Sequence, residues 1–238
     1  MVRRNVKRFS RKKRSYRWKS TKKRTYTRKK RRLGNNNGLP GLPNGKTVKM
    51  RYQHLVRPIT SAGTHGLQVY RMNAIFDCDY TGITGTQPLS HDQYDQFYKE
   101  YLVVGAKATT TFRWKDVTPS VDFNVACFAF MDSDTTAPTT LTTKRERYPG
   151  KVKILKPDPT SVCSITTHFS AKQWFKLKDV MDDEKIRGLS FNVDPIEQAY
   201  LVTGVQDYTQ TEVVSNVIID TVITYIVKLL DPKPILGS

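Results

Sequence analysis

LVVGAKATTTFRWK, residues 102–115, is the stretch that decides the fold. Leu102, Val104, Ala106, Ala108, Phe112 and Trp114 alternate with Lys107, Thr109, Thr111, Arg113 and Lys115, a period of two that only a half-buried β-strand explains simply. Outward from it, seven more stretches obey the same rule between Gly, Pro or Asp clusters: residues 48–57, 67–77, 121–131, 151–155, 162–171, 199–205 and 213–230. In the first of these, Val48, Met50, Tyr52, His54 and Val56 oppose Lys49, Arg51, Gln53 and Arg57, so the polar face is cationic. In 121–131, Val121, Phe123, Val125, Cys127 and Ala129 back onto a face that changes from Asp122 and Asn124 to Phe128 and Phe130, which predicts cover on both sides at the far end. Residues 213–230 are rich in Val, Ile and Thr, and this β-branched content argues strand over helix.

One helix is expected, because Ser90 and Gln93 form a capping box and Tyr94, Phe97, Tyr98 and Tyr101 follow at helical spacing. A further helical turn is expected within 179–187, and the Thr- and Pro-rich residues 132–150 read as a long solvent-facing loop. Eight strands with long, uneven connections predict an all-β protein, an eight-stranded jelly-roll sandwich with one short helix. Immunoglobulin-like and Greek-key sandwiches stand beside it, since periodicity does not establish strand order.

Charge divides the chain differently. Residues 1–76 hold 23 Lys or Arg and no Asp or Glu, while the remaining 162 residues carry 17 basic and 21 acidic groups, so the formal +19 belongs to one end. Within 1–32 stand 18 cations: Arg3, Arg4, Lys7, Arg8, Arg11, Lys12, Lys13, Arg14, Arg17, Lys19, Lys22, Lys23, Arg24, Arg28, Lys29, Lys30, Arg31 and Arg32. So dense a block repels itself and lacks the apolar residues that bury a core, which predicts disorder until a polyanion arrives. The following LGNNNGLPGLPNG, residues 33–45, reads as a hinge. The expected organisation is therefore a disordered arm and hinge over 1–45 and one folded domain over 46–238.

Nucleic acid is the expected partner. The arm's cations release counterions on meeting phosphates, and Phe9, Tyr16, Trp18 and Tyr26 among them offer rings on which unpaired bases stack. Lys49, Arg51 and Arg57 extend the positive field onto the body. The clusters Arg11-Lys12-Lys13-Arg14, Lys22-Lys23-Arg24 and Arg28-Lys29-Lys30-Arg31-Arg32 also fit nuclear import. Lys144, Arg145 and Arg147 are candidates for contact with a sulfated glycan by point charge. No secretory leader is expected from a charged N-terminus without an apolar segment, and no membrane insertion, because the most apolar stretch is broken by Asp220 and Lys228.

Site chemistry is sparse. Cys78, Cys127 and Cys163 have no regular spacing and read as reduced, mostly buried thiols. His54, His65, His91 and His168 fall on different elements, and the acids at 77 and 79, 132 and 134, and 182–184 read as strand-end or loop carboxylates. With no phosphate-binding glycine loop or nucleophile elbow either, no catalysis, metal or cofactor is expected.

The arm with its YRW at 16–18, Thr47-Val48-Lys49 opening the first strand, QPLSHDQY at 87–94 leading through Tyr101 into Val103-Val104-Gly105-Ala106-Lys107, and ITYIVKLLDPKP at 223–234 together resemble circovirus-type capsid (coat) proteins. These belong to viruses with small circular single-stranded DNA genomes that encode a replication initiator (Rep). The resemblance implies a jelly-roll subunit that self-assembles with about 60 copies in a T=1 icosahedral shell. It further implies a single-stranded DNA genome on the arm, nuclear import receptors as partners, and residence in the virion and, during assembly, the host cell nucleus. About 60 arms of 18 cations supply on the order of a thousand positive charges, enough for a thousand or so phosphates. The alternatives are the capsid protein of a small RNA virus and a cellular basic nucleic-acid-binding protein, ribosomal or chromatin-like. The cellular binder is expected to spread cations through its folded part, whereas residues 77–238 are net negative.

Overall fold

The computed structural model describes residues 43–82, 86–115 and 123–234. Its eight strands are β1 (Gly45–Val56), β2 (His65–Arg71), β3 (Tyr98–Trp114), β4 (Val125–Asp132), β5 (Val152–Leu155), β6 (Val162–Ser170), β7 (Tyr200–Asp207) and β8 (Val217–Pro232). They form two sheets of four, a major sheet in the order β1-β8-β3-β6 and a minor sheet in the order β2-β7-β4-β5. β1 pairs antiparallel with β8, β2 with β7, β3 with β6 and β4 with β5. The second half of the chain thus returns along the first, and the doubled ribbon wraps until β3 meets β8 and β4 meets β7. That order is a jelly roll.

Each alternating stretch became a strand, with bounds moved by a few residues; residues 121 and 122 of the fourth stretch lie outside the described residues. The helix expected from Ser90 through Tyr101 is shorter than its spacing promised. α1 (His91–Asp95) makes one turn, Ser90 sits at φ 74° without a side-chain cap, and Tyr98 and Tyr101 belong to β3. A single turn gains few hydrogen bonds for a costly nucleus, while pairing of Tyr98 with Pro232 extends an existing ladder. Two further short helices, α2 (Leu141–Arg147) and α3 (Ala171–Trp174), correct the expectation of one, and a 3-10 turn at Glu184–Ile186 falls where a helical turn was expected.

The deciding stretch also holds a surprise. Val103 pairs with Val227 but Gly105 pairs with Ile226, so Val104 is an extra residue and the inward parity changes across it. Tyr101 and Val103 point inward on one side of this bulge, and Ala106, Ala108, Thr110, Phe112 and Trp114 on the other, all buried. Val104, placed on the core face by simple alternation, is only half-buried. Leu102, on the opposite side of the strand from Tyr101 and Val103, is fully buried as well; its register partner Lys228 reaches the Met181 sulfur at 3.2 Å.

Two apolar clusters fill the sandwich, one around Met50, Tyr101, Leu201 and Tyr225, the other around Phe112, Trp114, Cys127 and Ile219. Between them runs a buried polar belt of Gln68, Thr110, Thr167, Thr203 and Thr221. Its hydroxyls are paired: Thr203 donates to the Gln68 carbonyl at 2.9 Å, Thr167 to the Ala129 carbonyl at 3.4 Å and Thr221 to the Thr110 oxygen at 3.4 Å. Paired in this way, they avoid most of the cost of leaving water. Cys78 and Cys127 are buried and Cys163 is partly exposed, all three as free thiols.

At the centre of the minor sheet, Gly204 leaves room for the Phe128 ring. A Cβ there would lie 2.4 Å from the Gly66 carbonyl oxygen and 2.6 Å from Phe128 Cζ. Gly204→Ala is expected to cost about 3 kcal/mol through overpacking against backbone that cannot yield, read as a lower midpoint in urea unfolding; an unchanged midpoint would show that the sheet can open at this point.

Candidate nucleic-acid interface

The outer faces of the two sheets differ. On the major sheet the register aligns Arg51, Thr224, Lys107 and His168 in one row across β1, β8, β3 and β6. The next row is Gln53, Val222, Thr109 and Thr166, and the one beyond it Leu55, Asp220, Thr111 and Ser164. Lys49 stands one row before Arg51, opposite Ile226, and Arg113 lies farther along β3 opposite Ile218. Lys49, Arg51, Lys107, Arg113 and His168 are all exposed. The one carboxylate in these rows, Asp220, already accepts from Gln53 Nε2 at 3.1 Å. The face therefore presents cations and threonines, and among the described residues no acidic side chain pairs with Lys49, Arg51 or Lys107.

The bulge shapes this surface. Gly105, having no side chain, floors a shallow groove lined by Lys49, Lys107, His168, Thr224 and Ile226. A second hollow continues from His168 past Trp174, Tyr148 and Lys151. Here β6 is an edge strand with unpaired carbonyls, and Lys151 and Lys153 cover two of them, donating to Thr166 and Ser164 at 2.6 Å each. Cations beside partly exposed rings make a surface suited to phosphates and bases together.

The minor sheet is roofed instead. Residues 132–150, expected as a solvent-facing loop, fold back over it through α2, whose first turn is capped by Thr140 accepting from the Thr143 amide at 3.2 Å. Tyr148 stacks on Phe130 with centroids 3.7 Å apart and planes 6° apart, and its hydroxyl donates to Asp132. Val125 through Phe130 are consequently buried on both sides, which the sequence implied for the far end at Phe128 and Phe130.

The sequence-derived residues fall into separate groups. Lys49 and Arg51 lie on the open cationic face, whereas Arg57 is exposed beyond the end of β1 and outside the rows. Residues 1–42, including Tyr16, Trp18, Tyr26 and the 18 arm cations, lie outside the described residues. Lys144 is a correction. It was read as a surface cation for glycan binding, but its side chain is fully buried and directed into the roof, so its ammonium cannot meet an external sulfate. Arg145 and Arg147 do remain exposed, Arg147 near Asp132 at 3.4 Å. Lys107, Arg113 and His168 were missed as site residues; the period of two put the first two on a polar face without showing that β1 and β3 share a sheet.

The other histidines serve packing networks. His54 Nδ1 lies 3.2 Å from the Tyr70 hydroxyl and 3.4 Å from Asp79, and His91 is buried between Asp92 and the Phe191 carbonyl at 2.9 Å each. Asp77 pairs with Arg71 at 2.7 Å, and Asp79 accepts from Gln68, Thr81 and the Gly82 amide. Among the described residues no group of three or more His, Cys, Asp or Glu is placed to hold a metal ion, and no helix is long and apolar enough to cross a membrane.

The chain matches no protein-family model and none of the curated proteins. Among solved structures it is similar to Desmodium yellow mottle tymovirus, at 12% identity and a TM-score of 0.42 over 84% of this chain and 96% of that one. It is similar to the 60-mer BFDV capsid protein at 13% identity and a TM-score of 0.41, over 82% and 97%. A third likeness, to tobacco necrosis virus, has 16% identity and a TM-score of 0.38 over 80% and 98%. The class to which the chain is assigned, an eight-stranded jelly-roll sandwich with one roofed and one open cationic face, rests on its own strand order and charges.

Burial disfavours the Lys144 ammonium and lowers its pKa from 10.5 to about 8. A lysine that releases its proton more readily folded than unfolded adds stability as pH rises from 8 toward 10.5, because the unfolded chain then binds more protons. The stability of wild type relative to Lys144→Met is therefore expected to increase across that interval, measured by urea unfolding at stepped pH; a constant difference would mean that the ammonium is solvated.

Proposed function

We propose that this chain is the capsid protein of a small icosahedral virus, a jelly-roll subunit that self-assembles into a T=1 shell of about 60 copies and packages circular single-stranded DNA. The observation that carries the proposal is the placement of charge. A leader with 18 cations in its first 32 residues joins the body at β1, the edge strand that itself carries Lys49 and Arg51 onto the open face. Positive charge is thus concentrated in the leader and on one face of the body, while the rest of the body is net negative and free to meet other copies. A cellular basic protein has no need of this division of labour.

Packaging on this reading is electrostatic and indifferent to sequence. Lys and Arg of the arm replace counterions along the genome, Tyr16, Trp18 and Tyr26 stack on bases, and Lys49, Arg51, Lys107 and Arg113 hold the strand against the shell. The same arm clusters act as the nuclear localisation signal, so genome and import receptor compete for them, and import precedes packaging. Arg145 and Arg147, exposed on the roof, are the cations left for attachment to a surface glycan.

Full-length protein is expected to form regular particles in negative-stain microscopy, with co-purified nucleic acid that DNase degrades once released; release by RNase alone would reassign the genome to RNA, and a monomer at every ionic strength would refute the shell. Removal of residues 1–32 is expected to weaken single-stranded DNA binding at least a hundredfold at low salt while leaving the circular dichroism of the body unchanged. Replacing Lys49, Arg51, Lys107 and Arg113 by Gln in the full chain is expected to flatten the slope of log K against log salt by up to about 3, at roughly 0.7 per phosphate contact; an unaltered slope would remove the open face from the interface.

A further inference from the structure

The roof over the minor sheet is fastened at a point where two basic side chains meet. Lys144 of α2 is fully buried, and its Nζ donates to Gln206 Oε1 at 2.6 Å, to the Thr139 carbonyl at 3.4 Å and to His65 Nδ1 at 3.4 Å. The ammonium also lies 4.7 Å from the centre of the Phe128 ring, against which the His65 ring sits edge-on. His65 and Gln206 are register partners on β2 and β7, so the sheet sets both under α2.

Among the described residues no carboxylate answers this charge. From β2 comes His65 itself, from β7 Gln206, from β4 Phe128, and from the roof Lys144 with the Thr139 carbonyl. The acids on neighbouring positions are engaged elsewhere: Asp132 by Tyr148 and Arg147, and Asp207 by the Thr209, Thr211 and Glu212 donors. Of the other charged roof side chains, Arg145 lies over the Tyr208 ring and Glu146 is exposed. The closed site therefore favours the Lys144 ammonium while His65 Nδ1 carries a lone pair; a second positive charge on half-buried His65 is only partly hydrated and has no counterion among the described residues.

We propose that His65 and Lys144 form an acid-opened latch, in which proton uptake by His65 releases α2 and the roof of residues 132–150 from the minor sheet. The roof closes over Val69, Phe128, Phe130 and Val202, so its release bares an apolar surface that the neutral-pH subunit hides. Release requires no other element to move, because the ladders β2–β7 and β4–β7 lie beneath the roof. Burial first, and then the adjacent Lys144 charge, bring His65 from 6.5 down to about 4 in the closed site. A histidine that holds its proton less well closed than open contributes closure that is complete above 6.5 and lost as pH falls from there toward 4. Between pH 7.5 and 5 the open-to-closed ratio is expected to rise about thirtyfold.

Hydrogen exchange of the full chain, corrected for the intrinsic pH dependence of exchange, tests this at the Lys144 and Tyr148 amides, which close the α2 turns on Thr140 and Lys144 at 3.1 and 3.0 Å. Their opening is expected to increase about thirtyfold from pH 7.5 to pH 5 in wild type, with amides of β3 and β8 unchanged, and by less than twofold in His65→Phe. Should His65→Phe fold poorly, His65→Gln keeps an acceptor that does not titrate and carries the same expectation. An equal rise in the substituted protein, the absence of a rise in wild type, or a parallel rise in β3 and β8 would each overturn the latch.

Discussion

The pairing of β3 with β8 is the constraint on which the rest of the molecule depends. These are the longest strands, of 17 and 16 residues, and they lie side by side at the centre of the major sheet. Their register aligns Tyr101, Val103, Ala108, Phe112 and Trp114 with Leu229, Val227, Ile223, Ile219 and Val217, so two apolar rows enter the core together. The bulge at Val104 lets a strand of this length keep its inward face buried as it twists, at the cost of one residue out of phase. With this pair in place, β1 and β6 have defined edges to join, and the wrapped ribbon leaves the minor sheet one orientation in which to close the sandwich.

From that frame follows an asymmetry between the two outer faces. Both sheets bury their inner faces, and the Thr belt with Gln68 holds the two apolar clusters in register where a wholly apolar interior would leave sliding less opposed. Their outer faces were built differently. The minor sheet carries Val69, Phe128, Phe130 and Val202 outward and needs a roof, which the chain supplies from the β4–β5 connection. The major sheet carries Thr, Lys and Arg outward and needs none. The body thus has two chemically distinct outer faces, one roofed and one open and cationic.

Much of this is legible in the sequence. The alternation in 48–57 and 102–115 placed Lys49, Arg51, Lys107 and Arg113 on solvent faces correctly, since a side-chain period of two is a local property of the extended backbone. The doubly covered end of β4 was visible in Phe128 and Phe130. What misled were features whose outcome is decided by competition at a distance. The spacing of Tyr94 through Tyr101 is sound helical spacing, yet the end of β8 captured Tyr98 for a ladder. Lys144 looked like any loop lysine, because burial of an ammonium depends on Gln206, 62 residues away, and on a ring and a carbonyl assembled around it.

Sequence alone determined that the body is β, that eight segments supply it, that charge is concentrated in a leader, and that Lys49, Arg51, Lys107 and Arg113 face outward, because all of these follow from composition and from the pitch of an extended chain. Only the tertiary structure decided strand order, the bulge that reverses parity within β3, the convergence of Lys49, Arg51, Lys107 and His168 on one face, and the burial of Lys144 beside His65. Those depend on which edges hydrogen-bond to which, and hydrogen bonds between strands distant along the chain leave no periodic mark on either partner.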